Sequence, residues 1–219
     1  MHPVPAAPRG RDAPERVKLV LHRAIVSGTI PGGTRLVRAS IAREFAAGPR
    51  QVRDALRELA AEGLVRMEED TGDAVVRELC RSDLEDIYQV RMLLEPLAAA
   101  RAASLASQED VTRAVQVLTA MGTETDARRW ADYNSDFHRV IGESGSSPRL
   151  VAILENLREL SACYVRHSIV AVPDRADQAN AEHEEIMRAV IARDPVAAAD
   201  ATFRHLDGTL SALNVRCRG

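Results

Sequence analysis

Three histidines are the clearest candidates for chemistry in this chain of 219 residues: His138, His183 and His205. Each falls in a different segment of helical periodicity, so we expect them on three different helices. Asn134 precedes His138 by about one turn and points the same way. Imidazole nitrogens on facing helices can bind a divalent transition-metal ion inside a bundle. Scattered histidines are more often surface or core residues than ligands, so the spacing alone leaves both interpretations open.

A row of arginines forms the second candidate group. Arg50, Arg53 and Arg57 share one side of a helix that is predicted to begin at Pro49. The apolar side of this helix is formed by Val52, Leu56 and Leu59. A short helix with one buried side and one arginine side is what binding in the major groove of DNA requires. A solvated helix flank has the same pattern, and periodicity alone favours that interpretation.

The distribution of charge is more informative than its total of −3. Residues 1–63 carry 11 Lys+Arg and 6 Asp+Glu, a net charge of +5, whereas the remainder carries 18 and 26, a net charge of −8. A basic N-terminal third on an acidic body indicates a module that binds a polyanion. The low aromatic content, 3%, is typical of a helical core packed with Leu, Ala and Val.

The cysteines and the N-terminus indicate a cytoplasmic protein. Cys80, Cys163 and Cys217 are widely spaced and odd in number, which predicts neither a metal-binding pair nor a disulfide framework. Residues 1–13 are rich in Pro, Ala and Arg without the apolar core of a signal peptide, so we expect a disordered tail. No apolar run reaches the roughly 18 residues that span a bilayer, so no membrane association is expected.

Helix and turn signals in the first 80 residues predict a winged helix-turn-helix. Asp12 to Glu15 is a helix start, and the helix ends at Gly28. The segment from Thr29 to Leu36 is predicted as a turn. Two short helices follow, separated by Gly48-Pro49, with Gly48 as the C-cap of the first. Residues 64–67 and 74–77 are two apolar runs around a glycine-containing turn, which predicts a β-hairpin wing.

Beyond residue 80 we find only helix signals. They predict six helices with short connections, at 83–106, 107–122, 127–144, 148–170, 176–193 and 195–215, with a kink at Pro96 in the first. The fold class is therefore mostly α. A disordered tail at 1–13 precedes a winged helix-turn-helix domain of three helices and a hairpin at 14–78, and an all-α six-helix bundle follows at 79–219.

Residues 15–78 resemble the DNA-binding domain of GntR-type transcription regulators. The resemblance is carried by PGGTRLV at 31–37, IAREF at 41–45 and, most specifically, VRDALRELAAEGLV at 52–65. It implies a homodimeric regulator that binds a palindromic double-stranded DNA operator. The residues expected to contact DNA are Arg38, Arg43, Arg50, Gln51, Arg53 and Arg57.

The rest of the chain resembles the FCD domain, the helical effector-binding partner in FadR-like members of that family. The matching segments are DLEDIYQVRMLLEPLAAARAA at 83–103, NSDFHRVI at 134–141 and HEEIMRAVIARDPVAAADATFRHL at 183–206. The resemblance implies a small organic acid as effector and a divalent ion, Zn or Ni, held by Asn134, His138, His183 and His205. Many relatives have Asp in place of Asn134. An uncharged ligand predicts weaker or altered metal binding, and an empty site with Asn134 hydrogen-bonded to a histidine is the alternative.

Four further residues are candidates for binding the effector. Arg91 lies in an otherwise apolar helix, where it either pairs with an anionic ligand or forms a salt bridge to Glu95 at i+4, and the sequence favours neither. The other three candidates for the pocket wall are Tyr133, Tyr164 and Arg166.

Two departures from the family pattern affect the DNA-binding half. Many relatives have S-R-T-P before V-R-E-A-L, whereas this chain has Gly48, Pro49, Arg50 and Gln51, so an altered operator is expected. The wing turn carries four acidic residues that phosphates would repel: Glu68, Glu69, Asp70 and Asp73. The wing is therefore expected to contribute little to binding.

Two other functions compete with the regulator hypothesis. A metal-dependent hydrolase would use the His/Asn cluster with a general base. Glu182 and Glu184 flank His183 but face other directions on a helix, and the chain has no HExxH, GxSxG or phosphate-binding glycine loop. We therefore expect no enzyme. An effector-binding protein with little specific DNA binding is the second alternative.

Overall fold

The computed structural model describes residues 13–172 and 174–213. The chain divides into two compact units between Leu79 and Cys80. The predicted tail lies outside the described residues, except for Ala13, which begins the first helix. Cys217 also lies outside them. Within the described ranges, no helix combines the length and apolar character that crossing a membrane requires.

The N-terminal unit has the predicted three helices and hairpin, with one strand more than expected. Its elements are α1 (Ala13–Val26), β1 (Arg35–Leu36), α2 (Arg38–Glu44), α3 (Pro49–Ala61), β2 (Val65–Met67) and β3 (Ala74–Val76). The three strands form an antiparallel sheet in the order β1-β3-β2. The predicted turn at Pro31-Gly32-Gly33 is present, and the strand that was not predicted follows it, where Arg35 and Leu36 pair with β3. A two-residue strand is too short to produce an alternation pattern.

Pro49 opens α3 as predicted, but the C-cap of α2 is Phe45 rather than Gly48. Gly48 is the N-cap of α3, with a φ of −68°. The left-handed residue after α2 is Ala46, with a φ of 48°. Its conformation is held by the amide of Ala47, which donates to the carbonyl of Ala42 at 2.9 Å. Alanine can adopt this region at modest cost, so no glycine signal marked the position.

Helix α3 ends at a glycine in the left-handed conformation. Gly63 has a φ of +81°, a conformation that glycine adopts without a steric penalty. The amide of Leu64 then donates to the carbonyl of Leu59 at 3.0 Å, which turns the chain from α3 into β2. The core beneath α3 is formed by apolar side chains that are at most 3% exposed: Val17, Leu21, Ile41, Phe45, Val52, Leu56 and Leu59. This core fixes α3 with its arginine side outward.

The C-terminal unit contains six helices in its described part. They are α4 (Arg81–Leu105), α5 (Gln108–Gly122), α6 (Ala127–Glu143), α7 (Pro148–Ala171), α8 (Arg175–Ile191) and α9 (Pro195–Ala212). Each lies within about two residues of its predicted start, and α4 remains a single helix through Pro96. The mostly α fold, with a winged helix-turn-helix followed by an all-helical domain, is confirmed.

Close antiparallel packing of α4 against α9 organises this unit. The guanidinium of Arg81 donates to the carbonyls of Leu210 and Leu213 at one end. Arg193 donates to the carbonyl of Ala103 at the other. Small side chains line the contact and are buried: Ala98, Ala99, Ala102, Ala103, Ala198 and Ala201. They allow the helix axes to approach closely, so α9 can carry His205 towards residues on α6 and α8.

Candidate metal centre and nucleic-acid interface

The three predicted histidines converge at one point inside the helical unit. His138 on α6, His183 on α8 and His205 on α9 each place a ring nitrogen within 4.8 Å of the other two. The Nε2 atoms of His138 and His183 are 3.3 Å apart. All three residues are at most 5% exposed. The cluster is therefore a built, solvent-shielded site.

Two of the histidines are held in their neutral form. Burial lowers the pKa of His138 and His183 well below the ordinary value, because an imidazolium would lose its hydration. The neighbouring His205, His138 and Arg175 lower the pKa of His183 further. Neutral imidazole is the form that binds a metal ion, so the environment prepares these two rings as ligands.

Carboxylates outside the cluster orient two of the rings. Glu182 Oε2 lies 2.7 Å from His205 Nδ1, and Glu95 Oε2 lies 3.5 Å from His138 Nδ1. Each contact engages Nδ1, which leaves Nε2 to face the cluster. Histidine ligands commonly donate their second N–H to a carboxylate in this way.

Arginines keep both carboxylates ionised in their buried positions. Burial would raise the pKa of Glu95, but the positive charges of Arg158 and Arg91 outweigh it and hold that pKa well below its ordinary range. Burial also acts to raise the pKa of Glu182, and the hydrogen bond to His205 together with Arg175 lowers it overall. Both groups are thus available as acceptors.

His183 is anchored differently from its two neighbours. Its Nδ1 is buried without a hydrogen-bond partner among the described residues. Its ring packs against aromatic residues instead, with centroid distances of 5.0 Å to Phe137 and 6.3 Å to Trp130. Trp130 is itself fixed by donating to the Asn180 side chain at 3.0 Å. Aromatic packing therefore positions the His183 ring.

Asn134 lies beside the cluster, as its spacing from His138 predicted. It lines two clefts that also include His138. Asp136, two residues before His138, forms an ion pair with Arg139 at 2.7 Å. Asn134 thus lines both clefts together with His138, whereas the nearby carboxylate of Asp136 is engaged elsewhere.

The donor set fits a divalent transition-metal ion. Two nitrogens bound at the usual zinc–nitrogen length in a tetrahedral site lie about 3.3 Å apart, and His138 and His183 show that separation. Three imidazole ligands that are oriented by outer carboxylates suit Zn²⁺ or Ni²⁺ rather than Mg²⁺ or Ca²⁺.

Two clefts open beside the histidines and share one wall. Arg91, Asn134, His138 and Val165 line both of them. The first is also lined by Tyr88, Trp130, Ser168, Ile169, Arg175, Ala179, His205 and Thr209. The second is also lined by Ala131, Ser135, Arg158, Ser161 and Ala162. A small ligand in either cleft would lie next to the histidine cluster.

Arg91 combines the two roles that the sequence left open. Its Nε donates to Glu95 Oε1 at 2.7 Å and its Nη1 donates to Ser161 Oγ at 3.1 Å, which is the structural salt bridge. Its guanidinium also lies 4.5 Å from the centre of the Tyr88 ring and borders both clefts. The salt bridge therefore fixes the guanidinium where an anion in the cleft would meet it.

The other three predicted effector residues are placed away from these walls. Tyr133, Tyr164 and Arg166 belong to neither cleft lining, and Tyr133 packs partly buried against the apolar core. The structure brings in polar residues that the sequence analysis did not select: Tyr88, Arg158, Ser161, Ser168, Arg175 and Thr209. Among them, Arg175 donates to Thr209 Oγ1 at 2.8 Å and lies seven residues before Glu182. That spacing was a usable signal for a shared helix face.

The charges around the clefts favour an anion. Three arginines and two glutamates face the site, so these fixed charges sum to one positive charge: Arg91, Arg158, Arg175, Glu95 and Glu182. A bound divalent cation would add to this surplus. A carboxylate is therefore the natural ligand for this environment.

In the N-terminal unit, α3 presents its arginines as predicted. Arg50 and Arg53 have side chains 86% and 39% exposed, and Arg57 is exposed as well. Both Arg50 and Arg53 lie near Asp54, at 3.8 and 3.6 Å, which is too long for a hydrogen bond. Exposed contacts of this kind contribute little to stability, so the guanidinium groups are available to phosphates or base edges.

The remaining predicted DNA contacts have mixed surroundings. Arg43 is exposed at the end of α2. The Gln51 side chain accepts a hydrogen bond from the Gly48 amide at 2.8 Å and so caps α3. The Arg38 guanidinium lies against the wing turn, where a Cβ on Gly72 would come within 2.8 Å of its Nη1. Gly72 has a φ of +69°, a backbone conformation that favours glycine.

Two of the four wing acids have structural partners. Asp73 accepts from the Arg38 amide at 2.9 Å, and its second oxygen lies 3.1 Å from Arg35. Glu68 pairs with the same arginine at 2.9 Å. The repulsion expected from four charges is thus reduced to that of Glu69 and Asp70, which are exposed at the tip.

Comparison with known proteins defines the class to which this fold and site belong. Residues 14–75 match the model of the bacterial regulatory proteins of the gntR family, and residues 86–208 match the FCD domain. The chain is 30% identical over 159 residues to the gluconate operon transcriptional repressor of Bacillus licheniformis. That match covers 71% of this chain and 65% of the repressor, just under two thirds of its length.

Solved structures show the same architecture. The chain resembles E. coli McbR/YncC with a TM-score of 0.80 at 18% identity, covering 92% of this chain and 96% of that one. It also resembles a GntR-family transcriptional regulator from Pseudomonas syringae pv. tomato, at 26% identity and a TM-score of 0.53, covering 94% and 86%. The chain belongs to the gntR family of bacterial regulatory proteins and carries an FCD domain. This is a family of DNA-binding transcription regulators rather than of enzymes.

Proposed function

We propose that this protein is a cytoplasmic transcription regulator that binds a palindromic operator as a homodimer and responds to a small carboxylate. The observation that carries the proposal is the buried histidine cluster, which opens onto clefts with surplus positive charge. The same chain has an arginine-bearing helix of the major-groove type in its N-terminal unit. Both halves of a ligand-controlled regulator are therefore supported.

The metal-binding residues in this proposal are His138, His183 and His205, with Asn134 as an uncharged fourth ligand. A Zn²⁺ or Ni²⁺ ion held there would act as a Lewis acid that binds a carboxylate oxygen of the effector. Glu95 and Glu182 fix the orientation of two imidazoles through Nδ1. Because Asn134 brings no charge, it leaves more positive charge at the site than an aspartate would, which favours an anionic effector.

The chain's own residues would hold the rest of the effector. Arg91 and Arg175 border the first cleft with their guanidinium groups fixed by Glu95 and Glu182. Arginine recognises carboxylates through charge-assisted hydrogen bonds. The relative named for the gluconate operon is a regulator of genes named for a sugar acid, which agrees with a carboxylate effector class.

Effector binding would then change operator affinity through the dimer. Each α3 would lie in the major groove of one half-site, so the affinity depends on the distance between the two helices. An effector that binds one arrangement better than another shifts that equilibrium by its difference in affinity. The effector raises operator affinity if it favours the spacing of the two helices that fits the operator, and lowers it if it favours another spacing.

Tyr88 provides a test of the effector cleft. Its hydroxyl is buried and the side chain lines the first cleft beside Arg91. We expect Tyr88→Phe to weaken effector binding about tenfold, since a ligand hydrogen bond is lost, while the fold is unaffected. Calorimetric titration of metal-loaded protein, with the carboxylate that most raises its melting temperature, measures the change.

The matched control is Tyr133→Phe, because Tyr133 lies outside both cleft linings. It is expected to bind the same carboxylate as tightly as the unaltered protein. A weakened Tyr133→Phe variant together with an unchanged Tyr88→Phe variant would show that the effector occupies a different part of the domain.

The regulator function itself is tested with the DNA upstream of the protein's own gene. We expect a mobility shift that a scrambled duplex does not produce and that weakens steeply as salt rises, because arginines displace counterions from phosphates. Equal affinity for specific and scrambled duplexes would instead support the effector-binding protein with little DNA specificity.

A further inference from the structure

The outward side of α4 is apolar along its middle and charged at both ends. Val90, Leu93 and Leu97 are 41%, 75% and 50% exposed. Asp86 precedes them by one turn and Arg101 follows by one turn, and both are exposed. The spacings of four, three, four and four residues place all five on one stripe of the helix. An exposed apolar stripe in a helical unit of this size calls for a partner.

This stripe is complementary to itself in one antiparallel register. If α4 pairs with α4 of a second copy about a point between Leu93 and Leu94, Val90 faces Leu97 of the other copy. Asp86 then faces the other copy's Arg101, and the symmetry axis repeats both contacts. At 1.5 Å per residue, the two charged contacts lie about 22 Å apart and bracket the apolar centre. A two-fold interface requires this kind of self-complementarity.

The two charged residues are available for such contacts. Arg101 donates its Nε to the carbonyl of Gly145 at 2.6 Å, which fixes the side chain. Its Nη atoms have no hydrogen bond within the described chain. Asp86 likewise has no ion pair among the described residues. Asp86 and the Nη atoms of Arg101 can therefore form the ion pair that the antiparallel register requires.

Helix α9 carries a further exposed apolar residue at the level of the stripe. The contacts of Arg81 with Leu213 and of Arg193 with Ala103 place Phe203 level with the middle of α4. Phe203 is 48% exposed. A stable dimer buries roughly 1,200–2,000 Å², more than three side chains per copy supply, so residues beyond the stripe are needed to complete the interface.

We propose that two copies of this chain dimerise through an antiparallel α4–α4 contact centred between Leu93 and Leu94, with Asp86 of each copy paired to Arg101 of the other. The proposal rests on the homodimer of the proposed function and specifies its surface and register. The partner is a second copy of the chain, because an acidic residue at one end and a basic residue at the other complement the same pattern in reverse. A partner surface with charge of only one sign would match one end alone.

Sedimentation velocity of the full-length protein without DNA tests this contact. Asp86→Arg and Arg101→Asp are each expected to weaken dimerisation about tenfold, by placing like charges together at both ends. The two substitutions combined restore the pairing and the dimer. Leu93→Asp abolishes the dimer, whereas Val115→Asp does not, because Val115 is an exposed apolar residue (38%) on α5, outside the stripe.

Each result decides the proposal. Rescue by the double charge reversal supports the register. Three results would each overturn it: a dimer that survives Leu93→Asp, a double reversal that fails to restore the dimer, or an unaltered protein that stays monomeric. The last result is also the one expected if another protein covers the stripe. Since DNA is absent, a monomer that still shifts operator DNA would reject this interface without rejecting the regulator function. Unchanged far-ultraviolet circular dichroism confirms that the surface variants fold.

Discussion

Replacing Arg53 by alanine is expected to abolish sequence-dependent DNA binding while the fold and the metal content remain unchanged. The side chain projects from α3 beside the buried Val52 and Leu56, and removing it leaves the core of the helix intact. Loss of an arginine at a base edge or phosphate costs about 1–3 kcal/mol, and a dimer loses two. The combined loss of about 2–6 kcal/mol is expected to lower operator affinity roughly 30- to 25,000-fold, as fluorescence anisotropy with a labelled duplex would show.

Two further variants make this result specific to α3. Arg149→Ala removes an exposed arginine from α7 and should leave operator affinity unchanged, which controls for loss of charge. Glu69→Gln removes a charge from the wing tip and should strengthen binding, because phosphates no longer meet that carboxylate. If Arg53→Ala bound the operator as tightly as Arg149→Ala, α3 would not be the reading helix.

Replacing His183 by alanine is expected to remove the bound metal. The three histidines would share a single ion, and a site that loses one of its imidazoles falls in affinity by orders of magnitude. Elemental analysis of the purified protein should show about one Zn²⁺ or Ni²⁺ per chain, and of His183→Ala almost none. Carboxylate binding should fall in parallel, since the effector would lose its contact with the ion.

The control for this experiment is His167→Ala, which removes an exposed histidine from the neighbouring helix α7. Its metal content should equal that of the unaltered protein. Because His183 is fully buried, its truncation also leaves a cavity that destabilises the fold. His205→Ala is therefore measured beside it. Equal metal content in all four proteins would remove the histidine cluster from metal binding.

The histidine cluster was predictable because helical spacing and family resemblance select the same residues. Asn134 and His138 share a helix side by spacing alone, and the two other histidines follow from their motifs. The residues that orient the histidines were not predictable, because their contacts join different helices. Glu182 was judged against its neighbour His183, whereas its partner is His205 on α9. In the sequence Tyr88 looks like a core residue, and only its place beside Arg91 in the wall of the first cleft distinguishes it.

The N-terminal unit shows a similar division. The apolar residues of α3 and the hairpin were predicted because their periodicity is strong. Strand β1 was missed because two residues carry no periodicity, and Ala46 was missed because alanine is a rare choice for a left-handed position. The acidic residues of the wing were identified from the sequence, but their partner was not predicted. Arg35 contacts Glu68 and Asp73 only once the sheet has formed.

The measurement that tests the account most directly is operator affinity in three states of the same protein: metal-free, metal-loaded, and metal-loaded with a carboxylate that binds it. Allosteric coupling of about 1–3 kcal/mol predicts a change in operator affinity of roughly 5- to 150-fold between the second and third states. The same carboxylate should have little effect on the metal-free protein. Identical operator affinity in all three states would contradict the account, because the histidine site would then have no influence on DNA binding.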